Sequence, residues 1–119
     1  MSFSWRINVT VVNNSESDMH YENCSPQVMH HDDPPTVPKG SKKTFIVSFS
    51  GADVGDHYIQ YSHSGESVRL YFQSKRSTNS PITTNDPEND RRIRSSSNSG
   101  PGVYDRSVEY HVAEGLHKG

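Results

Sequence analysis

Residues 34–72, PPTVPKGSKKTFIVSFSGADVGDHYIQYSHSGESVRLYF, decide the fold. A Pro-Gly turn leads into the run 44–49, whose alternation predicts a strand with Phe45, Val47 and Phe49 on its buried face. Two more alternating runs, 58–62 and 67–72, follow a turn rich in glycine. They meet at a Ser-Gly pair whose glycine can adopt a positive φ, which is typical of a β-hairpin.

The segments outside this stretch predict further strands of the same kind. Residues 3–11 alternate for nine positions, with Phe3, Trp5, Ile7, Val9 and Val11 on one face. A short strand is predicted at 19–23 and a last one at 107–112. No segment has sustained helical periodicity, so the pattern predicts an all-β chain folded as an antiparallel β-sandwich. Residues 74–102 are polar and predict a long mobile loop.

Length and composition limit the class of protein. A chain of 119 residues predicts a single domain over 1–119, and 29% hydrophobic residues predict a thin core. The net charge of -2 argues against nucleic acid as a partner. Cys24 is the only cysteine, which excludes an internal disulfide. Without a hydrophobic leader or a long apolar run, we expect a cytoplasmic protein or one released without a cleavable signal peptide.

Two clusters contain residue types that bind metals. His30, His31, Asp32 and Asp33 are adjacent, but neighbouring residues of an extended chain point to opposite sides. The acidic segment 86–90 lacks the glycine and the distal glutamate of a calcium loop. We therefore interpret both as solvated loops and predict no metal and no cofactor. A G-x-S-x-G motif is also absent, so no catalytic residue is assigned and the protein is predicted not to be an enzyme.

Three tyrosines leave two interpretations open. Tyr58 and Tyr71 fall on the face opposite the predicted core face of their strands, and Tyr104 lies near a Gly-Pro-Gly segment. Exposed aromatic rings can stack on sugars or lie at a membrane interface. The same rings could instead cover the second face of a sheet.

Several segments occur in an order that is shared with a known family. WRINVTVVNNS (5–15) is similar to its first core strand, PTVPKG (35–40) to a Val-Pro-x-Gly turn, and 58–72 to its central hairpin. The chain thus resembles the actinoporin-like β-sandwich superfamily, which includes the sea-anemone cytolysins and the fungal fruit-body lectins. The amphipathic N-terminal helix and the lipid-binding aromatic cluster of the cytolysins have no counterpart here, so the lectin branch fits better.

The resemblance implies a carbohydrate-binding, lectin-like protein with a defence role, or alternatively a membrane-lipid-binding cytolysin relative. A β-sandwich that serves as a protein-interaction module, including a homo-oligomer, is the third possibility. The partners implied are glycans or lipid head groups. A galactose-type site would use Ser50 and Gly51, with Arg76 near the place of the family's asparagine.

A second, acetylglucosamine-type site is also implied by the resemblance. Ile82 and Thr84 correspond to part of that site, and Tyr104 would complete it together with an arginine. The arginine candidates lie within 91–94, and Arg94 is the one assigned. The loop between these positions is much shorter here than in the lectins.

Overall fold

The computed structural model describes residues 4–30, 33–50, 55–74, 82–84, 90–99 and 105–113. These residues form eight strands and no helix. The strands are β1 (Ser4–Asn14), β2 (Met19–Cys24), β3 (Lys42–Ser50), β4 (Gly55–His63), β5 (Glu66–Ser74), β6 (Ile82–Thr84), β7 (Ile93–Ser99) and β8 (Asp105–Ala113). Within this part of the chain no helix could cross a membrane.

The strands form two four-stranded sheets. Sheet I has the order β3-β1-β8-β7 and sheet II the order β2-β4-β5-β6. Both sheets contribute side chains to one hydrophobic core, so the all-β architecture is sandwich-like. The predicted alternation is confirmed at the centre of each sheet, because Ile7, Val9 and Val11 of β1 are fully buried. The side chain of Phe49 and those of residues 1–5 lie outside the described part.

The prediction of a purely antiparallel sandwich is wrong at one position. β1 pairs with β8 in parallel, for example with Val9 opposite Val108, whereas the other strand pairs in the described part of the chain are antiparallel. The first and last strands of the chain therefore lie side by side at the centre of sheet I. Alternation reports which face of a strand is buried and carries no information on the direction of its neighbour.

The predicted long loop at 74–102 is also wrong in part. It contains β6, which pairs with the end of β5, and the seven-residue strand β7, which pairs with β8. Both are edge strands anchored by one isoleucine each: Ile82 is buried, and Ile93 packs against the core. An edge strand needs few apolar side chains, so the serine-rich sequence of β7 concealed it.

The hairpin between β4 and β5 sets the strand register at the centre of sheet II. His63 pairs with Glu66, which leaves Ser64 and Gly65 as a two-residue turn with φ values of 54° and 79°. Positive φ at both positions matches the twist of the flanking strands. The predicted role of the Ser-Gly pair is thereby confirmed. The turn fixes the register that places Tyr58 opposite Tyr71 and Gln60 opposite Arg69.

Candidate functional site

The outer face of sheet II carries a connected group of aromatic and polar side chains, which we call the sheet II patch. Ile59 and Tyr61 of β4 are fully buried in the core, so the alternating residues Tyr58 and Gln60 point outward. Their cross-strand partners on β5 point the same way. The patch consists of Glu22, Tyr58, Gln60, Ser67, Arg69 and Tyr71.

An aromatic pair and a cation form one half of the patch. The rings of Tyr58 and Tyr71 meet edge to face, with centroids 6.1 Å apart. The Arg69 guanidinium carbon lies 4.1 Å from the centroid of the Tyr58 ring, which is a cation–π contact. Tyr71 is only 8% exposed although it faces outward, so Tyr58, which is half-buried, is the tyrosine of this pair with ring surface to offer.

Hydrogen bonds hold the polar half of the patch in one arrangement. Arg69 Nε donates to Gln60 Oε1 over 2.8 Å, and Gln60 Nε2 donates to Glu22 Oε1 over 3.0 Å. Because the guanidinium can only donate and the carboxylate can only accept, these partners fix which way the Gln60 amide points. Ser67 Oγ lies 2.8 Å from the same carboxylate oxygen.

The carboxylate of Glu22 anchors the chain of hydrogen bonds. The bonds from Gln60, and then from Ser67, hold the pKa of Glu22 below its ordinary value. The patch therefore presents an ionised carboxylate, an oriented amide, a guanidinium and an aromatic ring on three adjacent strands. Planar polar groups beside an aromatic ring can form hydrogen bonds to hydroxyl pairs and pack on the C–H face of a sugar.

The residues implied by the resemblance lie elsewhere. Gly51, Arg76 and Tyr104 fall outside the described residues. Ser50 is the last residue of β3, opposite Ser4. Ile82 is only 4% exposed and belongs to the core, so its side chain has little surface for a ligand. Thr84, on edge strand β6, lies opposite Phe72 and is half-buried.

Ser50 and Arg94 are far apart in the structure. They lie on β3 and β7, the two edges of sheet I, which places them about 14 Å apart across the strands. The ladder from Arg94 through His111 and Val12 ends at Lys42. Lys42 is eight residues before Ser50, or about 26 Å along the strand. The two implied sugar sites would therefore be separate.

A buried polar cluster that the sequence did not predict lies at one end of the core. Arg92 and Asp90 form a bidentate ion pair, with Arg92 Nη2 2.7 Å from Asp90 Oδ2 and Nε 3.0 Å from Oδ1, and both residues are at most 9% exposed. Asp90 was expected in a solvated loop, which is wrong. Arg92, one of the arginine candidates for a sugar site, is 4% exposed and engaged here, while Arg94 is exposed.

Ser15 and His63 extend this cluster. Ser15 Oγ lies 2.8 Å from His63 Nε2, and Arg92 Nη1 lies 3.5 Å from His63 Nδ1. Asn13 Oδ1 and Ser17 O, which lie 2.6 and 3.0 Å from Ser15 Oγ, can only accept, so the hydroxyl donates away from the ring and His63 Nε2 donates to Ser15. The hydroxyl of Ser15 then donates to Asn13 Oδ1 over 2.6 Å. A nucleophilic serine needs a histidine nitrogen that accepts its proton, and His63 is here the donor.

The histidine-rich segment forms no metal centre among the described residues. His30 Nδ1 lies 3.7 Å from Asp33 Oδ1, and His30 Nε2 is 3.4 Å from the Tyr21 hydroxyl. His31 and Asp32 lie outside the described part. In the ranges that are described, no three side chains of the metal-binding types come together.

Comparisons with known proteins give little guidance. No protein-family model matches the chain, and no curated protein matches it. Among solved structures the chain is similar to IP-1A from Alcaligenes faecalis, with a TM-score of 0.47, 12% sequence identity and 93% of each chain covered. A likeness of this degree carries no argument about fold type or function.

Proposed function

We propose that the protein is a non-enzymatic carbohydrate-binding protein and that the sheet II patch binds the sugar. One observation carries the proposal: the Arg69 guanidinium lies over the Tyr58 ring and donates to Gln60, which in turn donates to Glu22, so hydrogen bonds fix these polar groups before any ligand arrives. Preorganised polar groups lower the entropic cost of binding a flexible, hydrated ligand. The resemblance to the lectin branch of the actinoporin-like superfamily supports the same class of ligand.

The ligand would contact the ring and the oriented polar groups together. The half-buried Tyr58 supplies apolar surface for one face of a pyranose ring. The Gln60 amide can donate and accept in fixed directions and the Glu22 carboxylate can accept, which suits adjacent hydroxyl groups. Arg69 holds both halves together because it contacts the Tyr58 ring and the Gln60 amide at once.

A glycan array followed by calorimetry on the best glycan tests the proposal. Tyr58→Ala should weaken binding about tenfold or more, since it removes the aromatic contact. Arg69→Lys should weaken it as well, because an ammonium group cannot both cover the ring and orient Gln60. Ile46→Ala is the matched control: Ile46 is 51% exposed on the outer face of sheet I, and its removal should leave the affinity unchanged.

The same experiment separates the competing locations and ligands. Loss of binding in Arg94→Ala or Thr84→Ala, with Tyr58→Ala unaffected, would place the site where the resemblance implies it and contradict the sheet II patch. An array without hits, combined with binding to phospholipid vesicles that Tyr58→Ala abolishes, would favour the membrane-lipid alternative. Absence of binding in both assays would exclude both ligands and leave the protein-interaction module as the remaining hypothesis.

A further inference from the structure

The four edge strands of the two sheets differ in how they are covered. The β3 edge carries Met29, which exchanges two backbone hydrogen bonds with Ser48 over 2.7 and 2.8 Å. The β2 edge is covered in the same way by Val37, which pairs with Met19, and it contains a register shift. β6 is only three residues long. Such features protect an edge from pairing with another chain.

β7 differs from these three strands. It has seven residues, and among the described residues its backbone pairs with β8 alone. β6 comes close to it from sheet II without pairing with it. The sequence IRSSSNS contains no proline, no lysine and no register shift, and the side chains of Arg94, Ser95 and Ser96 are exposed. Among the described residues this edge therefore has no pairing segment, no proline and no bulge, and Arg94 is its one charged side chain.

The hydrogen-bond pattern shows which backbone groups face this edge. Ala113 N donates to Arg92 O over 2.9 Å, so this opposite pair is hydrogen-bonded. Bonded and non-bonded pairs alternate in an antiparallel ladder. Arg94 and Ser96 are therefore bonded to β8, whereas the N–H and C=O groups of Ser95 and Ser97 point away from it.

We propose that β7 is a self-association edge, at which a second copy of this chain adds its own β7 in antiparallel orientation. With Ser96 on the two-fold axis, Ser95 lies opposite the second copy's Ser97, and about eight backbone hydrogen bonds can form. With the two-fold axis at Ser95 or Ser97, only about six backbone hydrogen bonds can form. The central register is therefore favoured, and its small serine side chains meet without a clash.

The charges and the resulting geometry are compatible with this register. Arg94 is the only charged residue of β7, and it would lie opposite Asn98 of the second copy rather than opposite its own equivalent. The two Ser96 residues would form a non-hydrogen-bonded pair with Cα atoms about 4.5 Å apart. That distance is within the range of a disulfide, whereas two copies of Arg94 would be about 13 Å apart.

Cross-linking tests the proposed register. In a Cys24→Ser background, Ser96→Cys should form a covalent dimer with oxidised glutathione, and Arg94→Cys, on the same strand and the same face, should not. Efficient cross-linking of both variants would indicate random collision, and cross-linking of neither would contradict the pairing.

Analytical ultracentrifugation of the unmodified chain supplies a second readout. The chain should show a concentration-dependent dimer. Ser95→Pro should convert it to a monomer with an unchanged far-UV spectrum, since the N–H that it removes faces the free edge. Ser97→Pro repeats this test at the second edge position if Ser95→Pro does not fold. A chain that is monomeric at every concentration would overturn the proposal. So would a dimer that persists in the proline variants while Ser96→Cys forms no cross-link.

Discussion

Tyr110 donates a hydrogen bond from its hydroxyl to the main-chain carbonyl oxygen of Tyr71 over 2.5 Å. Tyr110 belongs to β8 in sheet I and Tyr71 to β5 in sheet II, so the bond crosses the core and connects the two sheets. Tyr110 is 1% exposed. A polar group buried to this extent must be hydrogen-bonded, and this bond also holds the backbone of Tyr71, a member of the sheet II patch.

Tyr110→Phe should destabilise the protein by about 1–3 kcal/mol, because it removes the donor and leaves a buried carbonyl with one partner fewer. Urea denaturation with an unchanged m-value is the measurement. Tyr58→Phe, which removes the hydroxyl of a half-buried tyrosine on the outer face of sheet II, is the matched control. An unfolding free energy for Tyr110→Phe equal to that of the wild type would show that the bond contributes nothing.

Alkaline pH should destabilise the fold through its buried tyrosines. Burial raises the pKa of Tyr110 well above its usual value, and burial is also the largest cause of the raised pKa values of Tyr61 and Tyr21. The native state thus retains protons that the unfolded chain loses above pH about 10. Stability should be complete below that pH and fall as the pH rises beyond it.

Urea titrations at increasing pH, with tyrosinate absorbance as a second probe, check this expectation. Tyr110→Phe should be less stable at neutral pH. It should nevertheless lose less stability between pH about 10 and 12, because it has one fewer tyrosine with a raised pKa. If the unfolding free energy of the wild type were flat across that range, the buried phenols would not be linked to folding.

The sequence predicted those parts of the fold that depend on burial alone. β1 and the β4–β5 hairpin were correct because each alternates over a full strand, and the glycine of their turn has the positive φ that was expected of it. β7 was missed because six of its seven residues are polar and only Ile93 reaches the core. The parallel pairing of β1 with β8 joins residues about a hundred positions apart, and no local pattern records such a contact.

The features of the candidate site also divide into those that a local sequence pattern predicts and those that depend on neighbouring strands. The outward orientation of Tyr58 and Tyr71 followed from alternation, but the burial of Tyr71 did not, since it depends on neighbours from other strands. The Glu22–Gln60–Arg69 chain of hydrogen bonds spans β2, β4 and β5 and requires the strand order of sheet II. A sequence pattern could have placed Gln60 and Arg69 opposite each other from the two-residue turn, but not Glu22.

The ion pair of Arg92 and Asp90 should be costly to break from either side. Arg92→Met leaves a buried carboxylate without its guanidinium and should cost about 3–5 kcal/mol. Asp90→Asn should cost less, because the guanidinium keeps the carboxylate of Glu66 at 3.7 Å. The double variant should be more stable than the sum of the single effects predicts, with a coupling of about 0.5–3 kcal/mol. Urea denaturation of all four proteins completes the cycle, and additivity within about 0.5 kcal/mol would show that the two side chains act independently.

Ser15 should be chemically inert despite its contact with His63. Its proton goes to Asn13, and His63 donates to it from Nε2, so no base is available to activate the hydroxyl. A fluorophosphonate probe should not label the protein under conditions in which it labels a serine hydrolase. Ring-nitrogen NMR shifts of His63 should show the Nε2–H tautomer, and Ser15→Ala should lower stability by about 1–3 kcal/mol through the lost buried bonds. Labelling that disappears in Ser15→Ala would instead identify Ser15 as an activated nucleophile, and a His63 ring protonated on Nδ1 alone would supply the base that this hydrogen-bond arrangement excludes.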